Sequence, residues 1–523
     1  MHRNKFVLGS VAVALGLTGI AACSPGSGGG ARAGASASDR AGAVPEQVSP
    51  TQRSVRWKPC PEVEGGPKGV ECGTVKVPVD WSEPGGEQID IAVARRTAPQ
   101  GARRVGSLMF LPGGPGMSGV EQVRQLPEWG GAEKRFDVVS FDPRGVGASR
   151  PLQCSEKKAM ASALDSVPSA TREEFERRTA TAKALADDCA RRDGKLLRHV
   201  DADSVTHDIE AIRVALGEKR LSLYSHSYGT VYAQRYAAAY GGRVRAAVLD
   251  GVMDQSVGRR EFAATAAESL EDAYDQFARW CAKDDACALK EDGAWKTYER
   301  VARKAEDGKL PKSDVTDGPM TLAELNSTVD GMLLTPSWGP LAENLRTLDA
   351  GEKTDDVPAE DPAAGGGTPG VVPFADLVVC SDFALGTPDF AAHRDDVRAA
   401  RDKAPRFGYS PNAVQYTNLC SGAGADSGTR AGAGGGGRTA TSTAETPLLL
   451  MGARHDNATP IDWARSVRDQ LGAKAALVEV DGWGHAAKIF NAGPEQDTVL
   501  KYLVDLQVPK GDAVVKGRTP DGL

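Results

Sequence analysis

The clearest signal along the chain is a change in how its apolar residues are spaced. Ile89-Asp90-Ile91-Ala92-Val93 alternates apolar and polar positions, the period of a half-buried strand. The segments 105–111 and 136–141 are instead short apolar runs ending in Gly- and Pro-rich turns, as strands buried on both faces do. Val205, Ile209, Ile212 and Leu216 recur at steps of four, three and four, which predicts a helix. A strand is expected at 221–224, a helix at 231–240 stopped by Gly241-Gly242, and a strand again at 246–249. Further on, 447–450 and 476–480 read as two more strands with a helix between them. Strand and helix in alternation predict an α/β fold, a mostly parallel sheet with helices on both faces.

From about 254 to 440 the pattern differs. The segments 261–283 and 389–403 mix Ala, charged and apolar residues as partly exposed helices do. Two stretches rich in small residues, 354–370 and 421–443, read as surface loops. The expectation is a largely helical cap at 254–444, inserted before the last two strands. It divides a core formed by 57–253 and 445–523.

The first residues read as an address. His2-Arg3-Asn4-Lys5 is basic, residues 6–22 form an apolar run of 17, and Ile20-Ala21-Ala22-Cys23 closes it. Such a run is shorter than a membrane span and has the form of a secretory signal over 1–22. Its end resembles a bacterial lipobox, so Cys23 is the expected lipid acceptor and the only expected contact with a membrane. Residues 23–56, rich in Gly, Ala and Ser, suit a flexible tether. The mature protein is expected to be exported, lipid-anchored on the outer face of the cell membrane or secreted.

Cysteine usage agrees with export. Beyond Cys23 there are eight: Cys60, Cys72, Cys154, Cys189, Cys281, Cys287, Cys380 and Cys420. An even number in an exported chain points to disulfides. Sequence alone permits on the order of a hundred pairings. The nearest-neighbour set (60–72, 154–189, 281–287, 380–420) is the simplest, since each bridge closes one local loop. No C-x-x-C and no His at ligand spacing from these thiols supports a metal site, so neither metal nor cofactor is expected. With 41% hydrophobic and 25% charged residues the chain can build a large core. Its formal charge of -7 leaves no basic face of the kind nucleic-acid binding needs.

Candidate chemistry sits between the strand at 221–224 and the following helix. Ser225-His226-Ser227-Tyr228-Gly229 has the spacing of a nucleophile elbow, in which a strained turn exposes the middle serine and its neighbours two residues away must be small. Gly229 meets that demand; Ser225 stands where glycine is usual. Hydrolases built this way carry acid and then base after late strands. Asp456, in Gly452-Ala453-Arg454-His455-Asp456, and His485, in Gly482-Trp483-Gly484-His485, fall in that order. Among the other histidines, His226 is expected to point away from the hydroxyl, and His199, His207 and His393 to lie on the surface. Leu111-Pro112-Gly113-Gly114-Pro115-Gly116 follows an early strand and suits an oxyanion hole, with backbone N–H groups of Gly114 and Tyr228 as donors.

Taken together, Pro-Gly-Gly-Pro-Gly at 112–116, Asp142-Pro143-Arg144-Gly145-Val146-Gly147-Ala148-Ser149, Ser-Tyr-Gly-Thr at 227–230, Val248-Leu249-Asp250-Gly251 and Gly484-His485 resemble the secreted tripeptidyl aminopeptidases. These are α/β-hydrolases related to prolyl aminopeptidases, with a characteristic C-terminal segment. The resemblance covers most of 57–253 and 445–490. It implies cleavage of tripeptides from free N-termini of peptides or proteins, through a Ser227–Asp456–His485 triad and an acyl-enzyme. Such an activity needs a carboxylate for the substrate's ammonium group. Asp250 and Asp254 are the first candidates, with Glu268, Glu271 and Asp272 of the cap competing. A prolyl aminopeptidase, a secreted esterase on the same triad and an inactive cell-surface binding protein remain as alternatives.

Overall fold

The computed structural model describes residues 54–313, 318–335, 338–354, 376–423, 437–486 and 495–517. The expected signal at 1–22, Cys23, nearly all of the tether and most of the two stretches rich in small residues lie outside these. In chain order the strands are β1 (Lys58–Pro59), β2 (Val70–Pro78), β3 (Gln88–Arg96), β4 (Gly106–Leu111), β5 (Phe136–Phe141), β6 (Leu221–His226), β7 (Val244–Asp250), β8 (Leu448–His455), β9 (Ala475–Trp483) and β10 (Ala513–Lys516). They form one sheet in the order β1-β2-β3-β5-β4-β6-β7-β8-β9-β10. Pairings from β1 to β5 are antiparallel, and those from β5 through β4 to β10 are parallel. The fold is that of an α/β hydrolase.

Five helices accompany the first seven strands: α1 (Gly119–Gln125), α2 (Glu156–Ala163), α3 (Arg172–Leu197), α4 (Ala202–Ala215) and α5 (Gly229–Tyr240). Between β7 and β8 come α6 (Arg259–Cys281), α7 (Ala294–Glu306), α8 (Leu322–Met332), α9 (Trp338–Ala350), α10 (Leu377–Asp382), α11 (Phe390–Lys403) and α12 (Pro411–Gly422). The last two are α13 (Ile461–Leu471) and α14 (Gln496–Asp505). The apolar pattern predicts two strands after the helical stretch; β10 is a third. It is four residues long with an intermediate–exposed alternation, too short and too polar to stand out as a periodic signal.

Successive side chains of a strand point to opposite faces, and the central strands are apolar on both. Met109, Leu111, Leu223 and Leu249 enter one core, while Leu108, Phe110, Tyr224 and Val248 enter the other. A further apolar cluster belongs to the helical region, built on Tyr274, Phe277, Tyr298 and Trp338, with Trp483 of β9 packed against it. The Asp-Pro-Arg-Gly motif after β5 is structural. Arg144 is fully buried, pairs with Asp208 of α4 at 2.6 Å, and donates to the carbonyls of Val79, Pro78 and His199. Asp142 accepts from Ser118 and from the amides of Val120 and Ala148, holding the same turn.

Disulfides join Cys60–Cys72, Cys154–Cys189, Cys281–Cys287 and Cys380–Cys420, the nearest-neighbour set. Three histidines assigned to the surface by the sequence reading are not free there. His393 is buried and accepts the Ser169 N–H, His199 is buried beside Asp80, and His207 is half-buried against Tyr240. Each falls on a helix or helix end whose charged neighbours hid the inward-facing position. Among the described residues, no helix is long and apolar enough to cross a membrane.

Candidate active site

β6, β7, β8 and β9 are consecutive neighbours and parallel, so residues following them emerge along one edge of the sheet. Ser227 follows β6, Asp456 follows β8, and His485 lies two residues after β9. The chain enters α5 directly after Ser227–Tyr228, and this abrupt turn puts Ser227 at φ 55°, a left-handed conformation costly for a side chain with a Cβ. Neighbouring bonds hold it there. Its N–H donates to the Asp250 carbonyl at 2.8 Å, and its carbonyl accepts from the N–H and hydroxyl of Thr230 at 2.9 and 2.7 Å. A Cβ on Gly229 would sit 2.2 Å from the Leu111 carbonyl oxygen, which is why that position must be glycine. Ser225 fits where glycine is usual because its hydroxyl turns sideways and donates to the Val248 carbonyl at 2.9 Å.

His485 and Asp456 form a buried pair, with Nδ1 3.0 Å from each carboxylate oxygen. The carboxylate also accepts from the amides of Ala458, Thr459 and Ala486 and from the Thr459 hydroxyl. Burial pushes the Asp456 carboxyl upward, but the charge and hydrogen bond of His485 and the amide bonds outweigh it and hold it below the ordinary carboxylate range. The backbone of His485 is also held from the helical region. The His485 N–H donates to the carbonyl of Leu334, between α8 and α9, at 2.8 Å.

Ser227, Tyr228, Gly114 and His485 line one cavity of about 280 Å³. No hydrogen bond joins the Ser227 hydroxyl to His485 among the described residues; in unliganded sites such bonds are often long and tighten with substrate. Tyr228 precedes the first turn of α5, where N–H groups lack intrahelical partners. Its phenol donates to Asp382 at 2.6 Å, tying this turn to α10. His226, expected to point away, also lines the cavity, with its ring centroid 5.1 Å from that of His485. The set suits acyl transfer, which needs a nucleophile, an oriented base and backbone donors at one cavity.

Both first candidates for the amine site are displaced by the structure. Asp250 is buried within β7 and accepts from the Tyr224 phenol, and Asp254 is held by Gln470 of α13; neither lines the cavity. A strand-end acid next to the elbow faces whichever side the pleat dictates, and here that is inward. Glu268 pairs with Lys403, Glu271 accepts amides of Arg406 and Phe407, and Asp272 pairs with His455. Two acids of the helical region reach the site instead. Asp376 lines the cavity, accepts from Gln415 at 2.8 Å, and is raised by burial to about 7. Asp330 lies behind it, raised to about 7 by burial, and accepts from Asn412 and Asn457, whose side chains line the cavity. Neither sits in a motif or a periodic signal, so the sequence offered no means of choosing them.

Two family models match the chain, an alpha/beta hydrolase fold at residues 106–292 and a TAP-like protein at 413–515. Carboxylesterase B of Mycobacterium tuberculosis is 31% identical over 509 residues, 91% of this chain and 92% of that one. The chain belongs to the α/β-hydrolase family, in its TAP-like branch. Tripeptidyl aminopeptidase of Streptomyces lividans is 27% identical to this hydrolase over 85% of the chain and 83% of its own. Serine protease Hip1 of Mycobacterium bovis is 37% identical over 251 residues, so this hydrolase spans about half of that relative, 47% of its length.

Proposed function

We propose that this TAP-like hydrolase is an exported serine exopeptidase that releases short peptides, tripeptides in particular, from free N-termini. The observation that carries the reading is one cavity holding Ser227 and His485 together with the carboxylate of Asp376. Ser227 attacks the scissile carbonyl, and His485 takes the proton and returns it to the leaving amine. Asp456 orients the imidazole and stabilises its charged form. Backbone N–H groups of Gly114 and Tyr228 receive the developing oxyanion. Asp376 anchors the substrate ammonium at a fixed distance from the nucleophile, so the cavity's length sets how many residues leave. Export rests on the signal-like N-terminus and on four disulfides, a bond type rare in reducing compartments.

A second reading, an esterase, is favoured by the relative named a carboxylesterase. One comparison separates them. A tripeptide-linked chromogenic amide with a free amine is expected to be cleaved two to four decades faster than its N-acetylated form, because acetylation leaves a buried carboxylate without its partner, at a cost of ~3–5 kcal/mol. It is also expected to beat the one- and two-residue analogues. Equal rates on free and acetylated forms would reject the exopeptidase. Preference for a single N-terminal proline would point to a prolyl aminopeptidase.

A further inference from the structure

A second cleft, of about 1060 Å³, neighbours the catalytic cavity without sharing a lining residue with it. Asn326 of α8 faces this cleft, while Asp330, one turn or about 6 Å further along the same helix, holds the asparagines of the catalytic cavity. Likewise Tyr409 lines the cleft, and Ser410, the next residue, lines the cavity. The mechanism above uses none of the cleft.

Its charge is unusual for a chain of formal charge -7. Arg394, Arg398 and Arg401 recur along α11 at steps of four and three, forming one stripe that faces the cleft. Like charges at these spacings weaken a helix unless something of opposite charge meets them. Arg394 and Arg401 have no ion pair or hydrogen bond among the described residues, and Arg398 pairs only with the partly exposed Asp395. The other edge of α11 is acidic and satisfied, with Asp396 held by Arg259 of α6. Buried Arg178 of α3 contributes to the floor; its guanidinium donates to the Val167 carbonyl. Arg406 stacks on Trp295 at the rim. Of the three acids in the lining, Glu174 caps the start of α3 by accepting the Ala170 N–H, and Glu299 and Glu306 lie on the α7 side with Arg303 between them. No acid of α11 lines the cleft, and Asp395, paired with Arg398, is the one α11 acid in contact with the stripe among the described residues.

We infer that this cleft binds an acidic peptide segment, rich in Asp or Glu, lying outside the stretch that the catalytic cavity holds. Guanidinium forks match carboxylates in pairs, and the stripe repeats at intervals that successive acidic side chains can follow. The volume accommodates several residues, whereas the catalytic cavity accommodates few. The choice of a peptide as the anion's carrier rests on the peptidase reading. The test is built not to depend on turnover.

Full-length protein carrying Ser227→Ala is titrated into a fluorescently labelled Glu-rich octapeptide and into a Lys-rich control, with anisotropy as the readout. At least tenfold tighter binding of the Glu-rich peptide is expected. A further tenfold or greater loss is expected on adding Arg394→Glu, Arg398→Glu and Arg401→Glu together, and the affinity should fall steeply with salt. Arg401→Ala alone, with Ser227 intact, supplies a milder variant. It should keep kcat on a short tripeptide amide while raising KM for substrates with an acidic tail. Binding that survives the triple reversal, an Arg401→Ala KM that does not move, or capture by phosphatidylglycerol vesicles without binding of the Glu-rich peptide would each overturn the inference. Acidic-peptide binding without any cleavage of free N-termini would instead fault the exopeptidase reading and leave the cleft assigned.

Discussion

The sheet and the helical region hold their acids in opposite ways. Asp456, at the end of β8, is surrounded by amide donors and a histidine, and these keep it ionised in a buried place. Asp330 and Asp382, buried, and Asp376, half-buried, all from the helical region, have fewer and mostly neutral partners, and loss of solvent raises each to about 7. A carboxylate that is already satisfied can only orient its histidine. A carboxylate left short of partners is available to a ligand cation. On the proposed reading, the sheet performs the chemistry and the helical region selects what reaches it. The two meet where the Leu334 carbonyl holds the His485 N–H.

The largest effect belongs to the sheet. Ser227→Ala is expected to lower turnover by about a million-fold, the scale seen when a comparable hydrolase loses its triad serine, with the thermal midpoint moving little. Retention of a tenth of the activity would move the nucleophile elsewhere, and Ser225 would be tested next.

Next comes the helical region's acid. Asp376→Asn is expected to cut kcat/KM for a free-amine tripeptide amide by two to three decades and to leave the N-acetylated substrate unchanged. The pH dependence has a definite sign. With its carboxyl raised to about 7 by burial, Asp376 is protonated below that pH and cannot hold an ammonium group. The ratio of free-amine to acetylated rates should therefore fall as pH drops through about 7, and the asparagine variant should show a flat ratio. A ratio independent of pH in the parent protein would remove Asp376 from the amine site.

The contact between the regions can be broken by one methyl group. Gly484 has φ 88°, and a Cβ there would lie 2.8 Å from the Leu334 carbonyl oxygen. Gly484→Ala is expected to cost about 1–3 kcal/mol of stability in denaturant titrations and to lower kcat about ten- to a hundred-fold by displacing His485. An unchanged kcat would mean that the helical region does not position the base.

The smallest effect concerns Asp382, which accepts from the Tyr228 phenol and the Ala202 amide. Its carboxyl is raised in the folded state by burial, so the folded protein binds that proton more tightly than the unfolded chain does. Stability contributed by the proton is present at low pH and lost as pH rises from about 4 towards 7. Asp382→Asn is therefore expected to be more favourable relative to the parent at pH 8 than at pH 5, by about 1–3 kcal/mol in unfolding free energy. The same difference at both values would show that the raised pKa does not act on stability.

By itself the sequence determined the α/β alternation, the elbow and the order of Ser227, Asp456 and His485, because each rests on local rules. Strand period, the steric demand for Gly229 and the order of loops after parallel strands all act within a few residues of the chain. The eight cysteines pointed to disulfides, and the simplest pairing, neighbour with neighbour, is the one the structure holds, although the sequence alone left the connectivity open. The remaining features depend on contacts between distant segments. Asp330 reaches Asn457 across 127 positions, and Asp250, adjacent to the elbow in the sheet, turns away into the core towards Tyr224. The short edge strand β10, the buried His393 and the second cleft lined by the α11 arginines belong to the same class. Nothing in the spacing of residues along one segment states which face another segment will cover. For this reason the candidate triad could be read from the chain, while the carboxylates proposed to select its substrate came into view only when the helices were packed.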